Sequence, residues 1–151
     1  MTRAEFEKLY SDGVRDFRGV DLAGVNLTGV KLYGADLRDA DLTDAVLMGA
    51  ILGFAKLHGA VLTDADLRWA VLYDADLRHT DLRHANLHCA NLRGAVLREA
   101  DLRGAVLYCA NLYDADLRWA DLTGANLCGA NIDNAQMDYQ IDDGLLQTIA
   151  K

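Results

Sequence analysis

"ADLRDADLTDA", Ala35 to Ala45, carries Ala-Asp-Leu twice at a spacing of five residues. Five is neither the period of a helix, about 3.6, nor that of a strand, about 2. The spacing holds outward in both directions from Arg15 to Tyr139, as 25 consecutive pentads without an insertion. The central position reads Phe17, Leu22, Leu27 and onward to Leu127, Ile132 and Met137, and 22 of the 25 are Leu. Two residues earlier stands a small residue: Ala in 20 pentads, with Val20, Val25, Val30, Thr80 and Arg15 as the departures. The residue between them is usually Asp or Asn. Two residues after the centre, ten pentads have Gly and six have Asp or Asn.

A spacing of two puts the small residue and the Leu on one side of an extended segment, with the Asp or Asn pointing the other way. The next small residue comes three positions after the Leu. Plain β alternation would turn it outward, so the chain bends once per pentad. Gly, Asp and Asn are the residues that accept the φ > 0 conformation of tight turns. An α-helix fails, because a step of five rotates each Leu by about 140° from the last. The expected object is a coil of short extended sides with corners between them. Leu fills its centre, Ala fits where the wall is narrow, and successive coils pair in parallel at about 4.8 Å.

The open ends of such a coil invite edge-to-edge pairing, and both look capped. In "TRAEFEKLYSDG" Thr2 is placed as N-cap with Glu5 three residues on, a capping-box pattern. Phe6, Leu9 and Tyr10 form one apolar stripe, and Gly13 can end the helix. At the other end Leu145, Leu146 and Ile149 suffice for a short amphipathic turn, read as a lid or as a dimer contact. The organisation predicted is an N-terminal helical cap over 1–14, the repeat over 15–139 and a C-terminal cap over 140–151.

Fifteen basic and 23 acidic residues leave a net charge of −8, which argues against direct nucleic-acid binding. Three cysteines do not make a secreted disulfide framework. The opening residues lack the apolar core of a signal peptide, and no run is long enough to span a membrane. The expected compartment is the cytoplasm. No nucleophile elbow, phosphate loop or dinucleotide fingerprint is present, and no cofactor is expected. Asp41 and Asp44 imitate a glycosidase dyad only in spacing, since a filled coil offers no cleft.

Repeats such as "ADLRD", "ANLRG" and "ADLTG" resemble those of the pentapeptide-repeat proteins. The resemblance implies an all-β solenoid: a right-handed quadrilateral parallel β-helix with four pentads per coil, about six coils and short helical caps. Twenty residues per coil sort the pentads into four columns, named here by their first central residues, Phe17, Leu22, Leu27 and Leu32. Of 29 charged side chains in the pentads, Arg15 set aside, the first two columns hold 22. In the first column Arg18, Arg38, Arg78 and Arg118 follow Asp16, Asp36, Asp76 and Asp116, and where the Asp becomes Lys56 the Arg becomes His58.

The second column makes an acidic face of Asp21, Asp41, Asp44, Asp64, Asp81, Asp101 and Asp121 against Arg83 and Arg103. The third and fourth are weakly charged and present Met48, Ile51, Phe54, Trp69, Val71, Tyr73, Tyr108 and Tyr113 outward. Aromatic and Met side chains are enriched at interface cores. The expected function is therefore a non-enzymatic scaffold that binds a protein, or a second copy through the C-terminal cap, on the low-charge faces. The alternative, implied by the resemblance, is a DNA mimic that acts on DNA gyrase through the acidic face. Cys89 and Cys109 share a column on adjacent coils, within disulfide range, although a cytoplasmic chain favours free thiols. His79, His84, His88 and Cys89 cluster in sequence but fall on different faces, and no metal site is expected from them.

Overall fold

The computed structural model describes residues 1–138. It opens with one helix, α1 (Arg3–Ser11). Thr2 and Glu5 cap it reciprocally, as a capping box. At its other end the N–H of Gly13 donates to Tyr10 O and that of Val14 to Leu9 O, with Gly13 at φ +94°. This is the Schellman arrangement, which needs a left-handed residue at Gly13. Phe6 is buried and Tyr10 half-buried, but Leu9 is exposed, so the stripe is narrower than the sequence suggests.

From Asp16 the chain coils. Parallel bridges link residues 20 apart without exception, from Asp16↔Asp36 to Asp116↔Gln136. Each coil is therefore four pentads. The extended part of each pentad is so short that it forms one isolated bridge per coil contact and no continuous strand among the described residues.

Backbone accounting explains the repeat. In the pentad centred on Leu22, the Leu22 N–H donates to Asp41 O at 2.8 Å and the Gly24 N–H to Thr43 O at 2.8 Å, both in the next coil. The Val25 N–H closes the corner onto Leu22 O at 3.1 Å. One coil further on, the Asp41 N–H donates back to Val20 O at 2.9 Å. Four of the five N–H groups in a pentad are thus taken by backbone carbonyls. The fifth belongs to the residue after the Leu, and the Asp or Asn before the Leu takes it: Ala23 N–H donates to Asp21 Oδ1 at 3.1 Å, Thr28 to Asn26 at 3.0 Å and Thr43 to Asp41 at 3.0 Å. This Asx turn is why a short acceptor recurs at that slot.

The corner is a β-turn with φ > 0 at its third residue, the type II pattern. Every described corner obeys it, with φ between 53° and 71° from Gly19 to Asn134. Glycine and Asp or Asn were expected there. The same conformation is imposed on Phe54, Trp69, His79, His84, Cys89, Glu99, Cys109 and Trp119. These residues resist it locally, so the stack, which fixes the corner from both sides, sets their backbone rather than their propensity.

Inside, the central Leu residues and the Ala wall form one dry column from Phe6 to Ala130. Thr80 replaces an Ala and is buried; its hydroxyl donates to Leu77 O at 2.7 Å and lies 3.2 Å from Leu57 O. At the N-terminal edge, the carbonyls that a preceding coil would have used are met by the cap. The Met1 ammonium donates to Asp21 O, the Arg3 guanidinium to Asn26 O and Thr28 O, and the Tyr10 hydroxyl to Tyr33 O. Phe6 seals the core against Phe17, ring centres 4.4 Å apart. Arg15, the departure from the small-residue slot, lays its guanidinium on the Tyr10 ring at 3.8 Å. The segment with Leu145, Leu146 and Ile149 lies outside the described residues.

Candidate interaction surfaces

The first wall is a ladder of internal ion pairs. Arg18, Arg38, Arg78 and Arg118 each fold back onto the Asp two residues earlier, donating from Nε and Nη2 at 2.6–2.8 Å. Neutralisation is therefore internal to each pentad. Arg98, which follows Val96, instead reaches Asp116 at 3.8 Å. Hydrogen bonding from its own arginine holds the Asp16 carboxyl down at about 2, and lowers Asp36, Asp76 and Asp116 as well. Carboxyls depressed in the folded state add stability above their unfolded value, about 4, and lose it as pH falls through the folded value. The urea midpoint is therefore expected to hold steady from pH 7 to about pH 5 and to fall between about pH 4 and pH 2. A midpoint that rises on acidification would contradict these pairings.

The second wall is acidic only in part. Asp81 and Asp101 are paired with Arg83 and Arg103 at 2.6 Å, and Arg103 also approaches Asp121 at 3.7 Å. Asp21, Asp41 and Asp121 each accept a backbone N–H two residues on, so they serve the coil first. Asp44 and Asp64 stand at exposed corners. Uncompensated negative charge is thus concentrated in the N-terminal half of this wall, at Asp21, Asp41, Asp44 and Asp64.

The third and fourth walls meet at Trp69. Its coil also carries Val71 and Tyr73, with Met48, Ile51 and Phe54 on the coil before. Phe54 packs edge-on against Tyr73 at 5.3 Å and against Tyr33 at 5.4 Å, and Tyr33 and Tyr73 meet at 6.4 Å. The two tyrosines belong to coils that are not neighbours. They touch because the residue between them is Gly53, whose absent Cβ would lie 2.8 Å from the Tyr73 ring. Gly53 is buried and is the one glycine of the repeat outside the corner slot, so clearance for the rings accounts for it. Burial there, with Tyr33 alongside, raises the Tyr73 phenol above its ordinary value.

Not every predicted surface residue joins this patch. Tyr108 stacks flat on His88 at 5.4 Å, and His88 meets the Trp69 edge at 5.8 Å, so Tyr108 continues the patch down the third wall. Tyr113 is separate. It lies near Arg93, its ring centre 5.5 Å from the guanidinium, and accepts from Asn134 on a stretch lined by Asn91, Asn111 and Asn131. Trp119 was not among the candidates, yet at 58% exposure it is the most open of the large aromatic side chains among the described residues. It stands at a corner of the first column between Arg98 and Arg118, 4.9 and 5.9 Å from its ring centre. Its position in the corner slot was the available signal.

The histidines do not converge. His58 and His79 pack edge-on, His79 faces Glu99 at 3.3 Å, and His84 covers Gly104. Among the described residues no group of three or more His, Cys, Asp or Glu side chains is placed to hold a metal. No helix among them is long and apolar enough to cross a membrane.

The family model for pentapeptide repeats matches in overlapping segments that run from residue 16 to residue 139. The chain belongs to the pentapeptide-repeat family. It is similar to the crystal structure of a pentapeptide-repeat protein, Rfr23, from the cyanobacterium Cyanothece 51142, with 28% identity over 89% of this chain and 99% of that one, and a TM-score of 0.63. A second match is HetL, a pentapeptide-repeat protein involved in heterocyst differentiation regulation from Nostoc sp. PCC 7120. It shares 27% identity over 91% of this chain and 97% of that one, with a TM-score of 0.37. A third is trypsin-treated QnrB1, a plasmid-mediated fluoroquinolone resistance protein, at 18% identity over 90% and 86% and a TM-score of 0.34. No curated protein matches the chain. Like other members of its family, this pentapeptide-repeat protein is a right-handed quadrilateral β-helix.

Proposed function

We propose that this protein is a non-enzymatic, cytoplasmic rod of about six coils, closed at its N-terminal end by α1, that binds another protein through the patch centred on Trp69. The carrying observation is the Tyr33–Phe54–Tyr73 cluster with its cleared glycine, together with Trp69, 51% exposed, on the same coil as Tyr73. Aromatic groups held rigidly on a wall lose little side-chain freedom when covered, and large exposed apolar patches mark interaction sites. The wall itself is a flat surface backed by the leucine core.

The test is Trp69→Ala combined with Tyr73→Ala. Removing two anchors of this size is expected to weaken the interaction by at least about 30-fold. Affinity capture from the native host, with sizing of the pure protein as a check for self-association, reads the effect. Equal capture and equal size for both proteins would end this reading.

A second reading, a DNA mimic acting on DNA gyrase, is favoured by Asp21, Asp41, Asp44 and Asp64, for which no ion pair forms among the described residues. Arg83 and Arg103 count against it on the lower half of the wall. Asp→Asn changes separate charge from structure, because Asn keeps the acceptor for the turn. Asp41→Asn is expected to leave stability within about 0.5 kcal/mol, whereas Asp41→Ala costs about 1 kcal/mol by stranding the Thr43 N–H. If the wall mimics DNA, the Asn form of all four abolishes inhibition in a gyrase supercoiling assay. An unmodified protein that is inert at micromolar concentration removes this reading.

A further inference from the structure

Cys89 and Cys109 occupy the same corner of adjacent coils. Bridges that flank them in parallel, Asn86↔Val106 and Asn91↔Asn111, hold the two corners in line. Their backbones have the same conformation, φ 54° and 56°. Neighbouring coils sit about 4.8 Å apart, inside the Cα separation that a disulfide spans. Corner side chains in this rod lean over the following coil, as Asp39 does on Gly59, His84 on Gly104 and Cys109 on Gly129. Cys89 by the same lean faces Cys109, and after burial it is the neighbouring Cys109 that raises its thiol.

The two thiols differ in access. Cys109 is exposed and Cys89 half-buried. Cys89 Sγ lies 3.5 Å from His88 Nε2, and His88 is fixed between Trp69 and Tyr108. Among the described residues no histidine nitrogen bonds Cys109 Sγ.

We propose that Cys89 and Cys109 form an oxidant-responsive pair that hydrogen peroxide converts to an intramolecular disulfide. Cys109 meets the oxidant first. Its sulfur attacks peroxide, the O–O bond breaks, and Cys109 sulfenic acid and one water result. Cys89 then attacks the Cys109 sulfur, its proton passing to His88 Nε2. The S–S bond forms as the S–O bond breaks, and the oxygen leaves as a second water when the proton is returned. Two thiols are oxidised and one peroxide is reduced to two waters. Cys109 needs only to turn from Gly129 toward Cys89, and the glycine leaves that rotation free.

The experiment treats the fully reduced chain with hydrogen peroxide at neutral pH. Expected are a fall from three free thiols to one, a mass lower by about two hydrogens with no dimer, and a digest in which only the peptides bearing Cys89 and Cys109 are joined. Cys89→Ser is expected to accumulate a sulfenic acid at Cys109 that dimedone traps. His88→Phe, which keeps an aromatic face for Tyr108, is expected to slow closure by at least about tenfold. Disulfide-linked dimers through Cys109, or sulfinic acid at Cys109 with Cys89 still reduced, overturn the pair. Closure unchanged in His88→Phe overturns the role given to His88.

Discussion

Leu77→Ala, midway along the rod, is expected to lower stability by about 3–4 kcal/mol. Leu77 is buried, and its neighbours along the axis are Leu57 and Leu97, equally buried. Truncation removes the transfer energy of three carbons and leaves a hole. The hole cannot collapse, because the surrounding wall is fixed coil to coil: Leu77 N–H donates to Val96 O at 2.8 Å and Leu57 N–H to Asp76 O at 2.8 Å. Urea unfolding followed by far-ultraviolet circular dichroism reads the loss. The transition is also expected to broaden, since each coil contacts only its neighbours and a weak middle lets the two halves melt apart. Arg78→Ala, one residue away and facing water, is the control and is expected to stay within about 1 kcal/mol. Similar midpoints for the two variants would place Leu77 outside the core and undo the coil.

Ala75→Leu is the second large effect, from the opposite cause. Ala75 has no exposed surface and sits where the wall passes closest to the axis. Three added carbons must either displace Leu77 or push the coils apart along bonds such as Asp76 N–H to Ala55 O at 3.0 Å. Overpacking of this kind is expected to cost about 3 kcal/mol. Ala75→Val is expected to cost about 1 kcal/mol, because valine already stands in this slot in the first coil. There Val30 is buried while Val20 and Val25 remain half-buried against the core. The same denaturation series distinguishes the two, and an Ala75→Leu protein as stable as the parent would mean that the wall has slack.

The core was legible because its signal is additive: 22 leucines at one phase leave no other period to choose. The four-column arrangement came from the resemblance; the charges fitted it, with Asp16 and Arg18 recurring as Asp36 and Arg38 a coil on, and the bridges between Asp16 and Asp36 agree. Asp81 with Arg83 and Asp101 with Arg103 repeat the spacing of Asp16 with Arg18, so their pairing was open to the same reading. What escaped was side-chain contact between coils. Sequence spacing could not show that Gly53 exists for the sake of two rings twenty residues away on either side. Of the aromatic corners, Phe54 and Trp69 were read as outward-facing and Trp119 was not, and the backbone of all three was unexpected. Local preference argues against Trp69, Trp119 or Phe54 at φ near +60°, and only neighbouring coils, locking the corner from above and below, overrule it. The patch was legible in outline, but its division, with Tyr113 apart and Trp119 on another edge, required coordinates.

The unbroken pairing of residues 20 apart also governs how this surface can change over generations. Adding or deleting a block of four pentads lengthens or shortens the rod while every wall keeps its facing. Adding a single pentad leaves the leucine column undisturbed but swings everything beyond it through a quarter turn. Placed between Tyr73 and Tyr113, one such duplication would carry the lower aromatic groups round to the next wall with no substitution at all. Surface geography in this protein is therefore inherited through arithmetic on repeat number as much as through residue identity.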